Sequence, residues 1–330
     1  MRILSGVQPS GELHLGNYFG AIKQHLELQD QGDAFSFIAD YHALTTIKDA
    51  ARLQELTRDV AATYLALGLD PERATFFRQS DVPEVHELTW LLSCVTGMGL
   101  LQRAHSYKDK LARGLSASVG LFVYPALMAS DILIYRSQLV PVGKDQMQHV
   151  EICQDMAQSF NAAFNTDVLV RPEGRLSATP KVPGTDGAKM SKSYGNTIPL
   201  FAKGKALKKA INSIVTDSRD PKLEALAPDS CNAFAIFSLF ASEEECAALA
   251  ADYRAAPERG FLGYGVTKKK LREAIEDHFG PARARYEELK KPGSELDAVL
   301  EAGGRKARAI AQETVALCRE AAGLGRMLTS

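Results

Sequence analysis

The first residues constrain the fold of this chain more than any other stretch. A short apolar segment, Ile3-Leu4, leads into a turn rich in Gly, Pro and Ser at residues 5–17. An amphipathic run follows, with Phe19, Ile22 and Leu26 at helical spacing. This order predicts a strand, a tight loop and a helix start, where α/β sheets commonly bind phosphate groups. The glycine spacing matches neither G-x-G-x-x-G nor G-x-x-x-x-G-K-[S/T], which excludes the two common phosphate loops.

Composition sets the class of protein. A chain of 330 residues with 45% apolar and 24% charged residues is typical of a globular protein with one large or two ordinary domains. The net charge of −1 means that any nucleic-acid contact must use a local basic patch. Five dispersed cysteines without a C-x-x-C pair indicate reduced thiols in a cytoplasmic protein. No apolar run reaches the ~20 residues of a membrane span, so we expect no membrane contact.

Strand and helix patterns alternate after the first helix. We expect an α/β fold with a parallel sheet, because such alternation is typical of right-handed β-α-β crossovers. Ligands of these sheets bind at the carboxyl ends of the strands, where Gln8 and His42 fall. The predicted strands are 34–39, 74–77 and 139–142, and the predicted helices between them include 49–67 and 83–96.

The segment Val119–Tyr135 is almost continuously apolar but contains one acid, Asp131. Pro125 suits the first turn of a helix. Tyr124, Met128 and Asp131 then share one helix face at i, i+4 and i+7. A buried carboxylate needs a hydrogen-bond donor. That donor is either a backbone N–H or arginine of the core, or a flat ligand with one N–H.

Two further segments carry polar groups suited to ligands. Gly143-Lys144-Asp145-Gln146 follows the strand 139–142 and opens a helix. Lys189-Met190-Ser191-Lys192-Ser193 ends a Pro/Gly-rich connection and predicts a cationic, phosphate-binding loop, although a solvated surface has the same composition. His149, near Glu151 and Asp155, fits no common metal spacing, and we interpret it as structural or exposed.

From about Asn196 helical periodicity dominates to the end of the chain. We therefore predict a second, all-helical domain. Four basic clusters lie in it, and each is either a binding patch or ordinary helix surface: 203–205, 208–209, 268–270 and 305–308.

These segments together carry a family resemblance. His14-Leu15-Gly16-Asn17 and Lys189–Ser193 resemble the HIGH and KMSKS signatures of class I aminoacyl-tRNA synthetases, in the expected order. Within that class the chain resembles bacterial tryptophanyl-tRNA synthetases up to its C-terminal region. Two residues depart from the family pattern, Lys144 in place of the usual Glu and Tyr41 in place of a common Leu. The further matching segments are Asp40–Ala43, Tyr124–Asp131 and Val140–Gln146.

The resemblance implies an organisation and a set of partners. It implies a Rossmann catalytic domain at 1–195 with an inserted dimerisation segment at about 97–140. A helical anticodon-binding domain would follow at 196–330, its last helix packing back on the catalytic domain. The partners would be L-tryptophan, ATP with Mg²⁺, tRNA(Trp) and a second copy in a homodimer, all in the cytoplasm.

The resemblance also implies roles for individual residues. Asp131 would accept the indole N–H, and no residue would ligate a metal directly, so Mg²⁺ would bind the phosphates. The implied catalytic residues are His14, Lys110, Lys189 and Lys192. The implied tryptophan-binding residues are Asp131, Tyr124, Met128, Gln146 and His42. The implied ATP-binding residues are Gln8, Pro9, Ser10, Gly16, Asn17, Gly143, Lys144, Asp145, Val182, Lys189, Met190, Ser191, Lys192 and Ser193.

Three alternatives stay open at this point. A tyrosyl-tRNA synthetase shares these motifs, although the Met128–Asp131 pair favours indole over phenol. A regulatory paralogue would bind a nucleotide or RNA without catalysis, against which the complete motifs argue. A small-molecule nucleotidyltransferase shares a HIGH-like loop, but the basic helical C-terminal region disfavours it.

Overall fold

The structure is a computed structural model that describes residues 1–104, 118–176, 181–220, 222–260 and 263–325. It divides into two compact units, each discontinuous in sequence. The sheet unit comprises Met1–Gly11, His25–Ala178 and Leu289–Ser330, and the helical unit comprises Glu12–Gln24 and Thr179–Glu288. These bounds differ from the predicted domains at 1–195 and 196–330. The assignment of catalysis and anticodon binding to those domains stays a prediction.

The sheet unit is built on five parallel strands in the order β3-β2-β1-β4-β5. The chain first moves from β1 to one side and then from β4 to the other, so the strand order reverses between β1 and β4. This confirms the predicted Rossmann-type α/β class. The carboxyl ends of β1 and β4 form the switch point at which such sheets bind ligands. The strands are β1 (Arg2–Val7), β2 (Asp33–Ile38), β3 (Ala74–Arg78), β4 (Leu139–Val142) and β5 (Glu173–Leu176).

Helices account for most of the remaining described residues. In the first half of the chain they are α1 (Leu15–Asn17), α2 (Lys23–Leu28), α3 (Asp40–Ala43), α4 (Ala50–Ala66), α5 (Glu84–Val95), α6 (Met98–Gln102), α7 (Val119–Leu133) and α8 (Met147–Ala163). The later ones are α9 (Gly204–Asn212), α10 (Asn232–Phe237), α11 (Glu243–Arg254), α12 (Ala256–Arg259), α13 (Tyr264–Leu289) and α14 (Leu296–Ala321). None of the helices in the described ranges is both long and apolar enough to cross a membrane.

The core of the sheet unit joins strand aromatics to the helices packed over them. Phe35 of β2 stacks on Tyr135 at 5.5 Å between ring centroids, and Phe77 of β3 contacts the same tyrosine edge-on at 5.4 Å. Cys153 and Phe160 of α8 are fully buried in the same cluster. Burying side chains of this size contributes roughly 1.5–3 kcal/mol each, which anchors the sheet from which the functional residues extend.

The last helix, α14, packs on β3 because it carries a Gly-Gly pair. A Cβ on Gly303 would lie 1.8 Å from the Phe76 carbonyl oxygen, and one on Gly304 would lie 2.8 Å from the Asp81 Cβ. Only glycine permits so close an approach of helix to strand. Arg308 of α14 donates to Glu84 of α5 at 2.7 Å, which gives part of the basic cluster at 305–308 a structural role.

The helical unit has an aromatic core of its own. A π-helical segment, Tyr18–Ile22, continues from α1, and its Tyr18 and Phe19 pack against Phe279 and Phe240, respectively. The Tyr18 hydroxyl lies 2.9 Å from Nε2 of His278. The turn at residues 12–24 therefore folds with the later helices, which sequence periodicity alone does not reveal.

Several local expectations change in the structure. Pro125 is not in the first turn of its helix, because α7 begins at Val119 after the cap Ser118, whose hydroxyl accepts the Leu121 N–H. The predicted strand 34–39 lies at Asp33–Ile38, and the strand β5 and the π-helical segment were not predicted. No disulfide joins any of the five cysteines.

Candidate active site

Asp131 lies at the centre of a buried polar cluster in the sheet unit. Its side chain, on α7, is 2% exposed. Gln79 Nε2 donates to Asp131 Oδ1 at 2.9 Å and to Oδ2 at 2.8 Å. His42 Nε2 lies 2.9 Å from Oδ2 and donates to it in the tautomer that carries a proton on Nε2. We call Asp131, Gln79 and His42 the carboxylate clamp.

The orientation of the Gln79 amide is fixed by the backbone. Its Oε1 accepts the N–H groups of Tyr41 at 3.1 Å and His42 at 3.4 Å. Because these two donors require an oxygen, Nε2 must face Asp131. Gln79 directly follows β3 and His42 lies shortly after β2, so two adjacent strands deliver the clamp at their carboxyl ends.

The clamp leaves Asp131 with limited capacity for further hydrogen bonds. A carboxylate offers about four lone-pair sites. Gln79 and His42 take three of them, two on Oδ2 and one on Oδ1. Among the described residues, one acceptor site therefore remains, on Oδ1. Asp131 can therefore accept one further hydrogen bond, from an N–H or O–H group of a ligand. A ligand atom that can only accept hydrogen bonds would be repelled at this position.

An aromatic and thioether face borders the clamp. Tyr124 and Met128 are both half-buried and share the face of α7 that carries Asp131. The Tyr124 ring lies 6.4 Å from the His42 ring, and its hydroxyl lies 2.8 Å from His149 Nε2. His149 is buried, so it is structural rather than exposed. This face suits a flat aromatic group.

Two glycine-containing turns lie at the switch point of the sheet. After β1, the Ser10 N–H donates to the Gln8 carbonyl at 2.9 Å, and Gly11 has φ 131°, which a residue with a Cβ rarely adopts. After β4, the Gln146 N–H donates to the Gly143 carbonyl at 2.9 Å. Both turns present backbone where α/β sheets bind phosphorylated ligands.

The other expected residues of these turns differ in exposure. Gln8, Ser10 and Lys144 are exposed, Pro9 is buried, and Gly143 and Gln146 are half-buried. The side chain of Asp145 and the whole of Lys110 lie outside the described residues.

The HIGH-like segment and the KMSKS segment meet inside the helical unit. The Gly16 N–H donates to the Met190 Sδ at 3.3 Å. A Cβ on Gly16 would lie 3.0 Å from His14 Nδ1 and 3.3 Å from the Met190 Cβ, so a glycine is needed between them. Asn17 accepts the His14 backbone N–H at 3.1 Å and closes the turn.

His14 is held as a neutral base. Burial, and then the positive charge of Lys192, lowers the pKa of His14 to about 4. The imidazole is therefore uncharged at pH 7. Its Nδ1 is buried and has no hydrogen-bond partner in the described part of the chain. A neutral imidazole beside a lysine can donate to an anionic oxygen through its protonated nitrogen.

Asn196 organises the KMSKS segment. Its side chain is buried, accepts the Ser191 N–H at 2.8 Å and donates to the Lys189 carbonyl at 3.2 Å. Nδ2 also donates to Asp186 at 2.7 Å. A Cβ on Gly184 would lie 2.2 Å from this Nδ2, so the loop closes tightly around the asparagine.

The loop presents its cations and buries its apolar residue. Lys189 is exposed and Lys192 half-buried, whereas Met190 is 4% exposed. The hydroxyls of Ser191 and Ser193 lie 2.8 Å apart. The carbonyl of buried Val182 accepts the Met190 N–H at 2.9 Å.

Sequence reasoning missed two organising residues, Gln79 and Asn196. Gln79 could have been found by the rule that polar residues at strand ends form sites, since it directly follows β3. Asn196 gave no signal beyond its place after Gly195. No group of three or more His, Cys, Asp or Glu side chains within the described ranges is arranged to hold a metal ion.

Comparisons with known proteins show the family to which the chain belongs. Residues 1–280 match the family described as tRNA synthetases class I (W and Y). The chain is 50% identical to a tryptophan--tRNA ligase of Rhodopirellula baltica over 324 residues, covering 98% of this chain and all of that relative. A tryptophan--tRNA ligase of Campylobacter jejuni is also 50% identical, over 328 residues with the same coverage.

Solved structures of tryptophanyl-tRNA synthetases are also similar to this chain. The crystal structure of tryptophanyl-tRNA synthetase from Campylobacter jejuni, complexed with ADP and tryptophan, has a TM-score of 0.92 and 49% identity, covering 98% of this chain and all of that one. The enzyme from Mycoplasma pneumoniae has a TM-score of 0.80 and 32% identity, covering 98% of each chain. The chain belongs to the class I aminoacyl-tRNA synthetases, in the tryptophan and tyrosine family.

Proposed function

We propose that the carboxylate clamp recognises tryptophan and that the HIGH-like and KMSKS segments bind the phosphates of ATP. The chain is a tryptophan--tRNA ligase. The carboxylate oxygen of L-tryptophan attacks the α-phosphorus of ATP, pyrophosphate leaves, and tryptophanyl-adenylate forms. The tryptophanyl group then passes to the 3′ end of tRNA(Trp), and AMP leaves. Catalysis of this kind consists of positioning and stabilisation of phosphoryl charge.

The single acceptor site left on Asp131 Oδ1 carries the proposal for tryptophan. Indole has one N–H donor and no acceptor. A clamp with one remaining lone pair matches that inventory, and the apolar face of Tyr124 and Met128 receives the ring. His42 holds the carboxylate in place, and Gln146 is proposed to contact the tryptophan amino group.

The clamp also explains how tryptophan is selected. Phenylalanine would leave the Oδ1 site of Asp131 buried and unpaired. Sites that hydrogen-bond a substrate N–H or O–H reject analogues lacking it by roughly 10⁴–10⁵. Phenylalanine is therefore excluded at the activation step, without hydrolytic editing.

The phosphate-binding proposal rests on the contact between the two signature segments. Neutral His14 donates to a phosphate oxygen, while Lys189 and Lys192 neutralise the pyrophosphate as it leaves. Mg²⁺ would bind the phosphate oxygens, since the described residues offer no carboxylate cage, and it would neutralise phosphate charge. The remaining proposed ATP contacts are Gln8, Pro9, Ser10, Gly16, Asn17, Gly143, Lys144, Asp145, Val182, Met190, Ser191 and Ser193, with Lys110 assisting at the phosphates.

Amino-acid-dependent ATP–pyrophosphate exchange tests the proposed function. The assay is run with each of the twenty amino acids separately, at equal enzyme concentration. We expect exchange with tryptophan and not with tyrosine or phenylalanine. Exchange with tyrosine would reassign Asp131 to a phenol, and exchange with no amino acid would contradict the catalytic proposal.

Three large exposed apolar side chains support the proposed homodimer. Trp90 on α5 is 70% exposed, Met98 on α6 is 61% exposed and Val119 on α7 is 78% exposed. Met98 and Val119 lie in the proposed dimerisation segment and Trp90 lies shortly before it, and burial in a dimer would remove these apolar side chains from water. We expect Trp90→Glu to shift the chain from dimer to monomer in sedimentation. An unchanged sedimentation coefficient would show that Trp90 is not part of a dimer interface.

We also propose a cytoplasmic location.

A further inference from the structure

We propose that a basic pocket between α9 and α13 binds a backbone phosphate of the tRNA. This inference rests on the proposed function only in taking tRNA as a substrate. The pocket lies wholly within the helical unit and has a volume of about 220 Å³. One water molecule needs about 10–15 Å³ of such space, so the pocket admits a larger group.

The lining follows from helix periodicity. α9 contributes positions i, i+3 and i+4, and α13 contributes i, i+3, i+4 and i+7, so one face of each helix points into the pocket. The lining contains four cationic side chains and no acid. The residues are Lys208, Ile211 and Asn212 of α9, and Gly265, Lys268, Lys269 and Arg272 of α13.

Lys268 is held in the lining of the pocket by the backbone of α9 and of the residues that follow it. Its Nζ donates to the carbonyls of Asn212 at 2.9 Å and Ile214 at 2.7 Å, which caps the C-terminal end of α9. Its charge is thereby fixed at the pocket. Gly265 borders the open space of the pocket, since a Cβ built on it would have no atom within 4 Å, and a larger side chain at this position can therefore enter the pocket.

The other cations are available to a ligand. Lys208 and Arg272 form no hydrogen bond or ion pair with any described residue, and Lys269 has one exposed contact, to Glu273 at 3.8 Å. Such an exposed ion pair contributes little to stability, and the lysine can exchange its partner for a phosphate. Arginine and lysine donors around a concave site are the groups that bind phosphate oxygens.

The arrangement of the charges favours RNA as the source of the phosphate. The chain as a whole has a net charge of −1, so a concentrated positive pocket is a local feature. Lys205 extends the charge along the same face of α9, one turn from Lys208, which suits a polyanion rather than an isolated anion. The pocket is therefore assigned to the RNA backbone.

The test uses adjacent lysines as matched pairs. Lys208→Gln and Lys269→Gln remove pocket cations, and Lys209→Gln and Lys270→Gln remove the same charge from neighbouring positions that do not line the pocket. We expect each pocket variant to raise the dissociation constant of a tRNA(Trp) transcript roughly threefold and the double variant roughly tenfold. In a plot of log K for tRNA binding against log salt concentration, each pocket variant should have a slope that is shallower by about one. The control variants should change both quantities much less.

A second variant separates shape from charge. Gly265→Leu fills the pocket without changing charge and should weaken tRNA binding as much as the lysine variants. Tryptophan-dependent ATP–pyrophosphate exchange should stay unchanged in all variants. Equal effects of pocket and control variants, or unchanged binding in Gly265→Leu, would overturn the proposal. A raised KM for ATP would also overturn it, because the pocket would then bind a small anion. Absence of exchange in the unmodified chain would contradict the proposed function but not the pocket, which the binding measurement tests directly.

Discussion

Replacing Asp131 by Asn tests the central feature of the site. Asparagine keeps the shape of the side chain but replaces one oxygen by an NH₂ group. Because Gln79 Nε2 donates to both oxygens of Asp131, one of these contacts becomes donor against donor in either amide orientation. If the amide oxygen stays at the Oδ2 position, the NH₂ occupies the position at which the indole N–H would be accepted.

The expected loss follows from the hydrogen bond removed. A hydrogen bond to a charged group contributes about 1.5–3 kcal/mol, and each 1.4 kcal/mol is tenfold in affinity. Asp131→Asn should therefore weaken L-tryptophan binding by roughly 10- to 150-fold. ATP binding should persist, since the signature segments lie in the other compact unit.

Calorimetric titration measures the affinity for L-tryptophan and for its benzothienyl analogue. In this analogue, sulfur replaces the indole N–H. The unmodified enzyme should strongly prefer tryptophan, and the variant should bind both ligands about equally. Asp155→Asn, an exposed acid on α8, is the matched control and should keep the preference. The role of Asp131 would be refuted if Asp131→Asn unfolds at the same temperature as the unmodified enzyme and prefers tryptophan over the analogue by the same factor.

Four further outcomes are expected. Gln79→Ala should weaken tryptophan binding about tenfold without changing the KM for ATP, since it releases a carboxylate held by charge-assisted hydrogen bonds. Lys192→Ala should slow pyrophosphate exchange and leave tryptophan affinity unchanged. Burial lowers the pKa of His25 to about 4, so stability is lost as pH falls from about 6.5 towards 4. The free energy of unfolding, measured in urea, should therefore fall by about 2 kcal/mol less for His25→Gln than for the unmodified chain when the pH is lowered from 7.5 to 5. Gly303→Ala should destabilise by at least about 1–3 kcal/mol, whereas Gly120→Ala, whose Cβ meets nothing closer than 3.9 Å, should not.

The sheet could be predicted because its strands are local patterns. The segment 139–142 is apolar throughout and lies at Leu139–Val142 as predicted, and 74–77 extends by one residue to Arg78. The grouping of the units could not be predicted, because it depends on contacts distant in sequence. Tyr18 folds with His278, and Gly303 reaches the backbone of Phe76.

Part of the candidate site could be predicted from the sequence. Asp131 stands out there because an acid in an apolar helix must find a donor, and the structure shows that it is buried and hydrogen-bonded, while its role in binding tryptophan stays a prediction. Its partner Gln79 was not found, because an amide following a strand resembles any surface glutamine until its burial is known. The structure shows that this side chain is 1% exposed and bonded at both ends, which no spacing in the sequence reveals.

The order of the strands places both sets of candidate site residues along one sheet edge. Gln79 and His42 follow β3 and β2, while Gln8 and Gly143 follow β1 and β4, and the four strands are neighbours in the order β3-β2-β1-β4. Adjacent strands lie about 4.8 Å apart, so Gln79 and His42 of the carboxylate clamp are separated from the turns after β1 and β4 by about one to three strand spacings along the edge. The proposed function requires the tryptophan carboxylate, which is the nucleophile, to reach the phosphates of ATP. An indole bound at the carboxylate clamp meets this requirement only if the carboxylate extends along the edge towards the turns after β1 and β4.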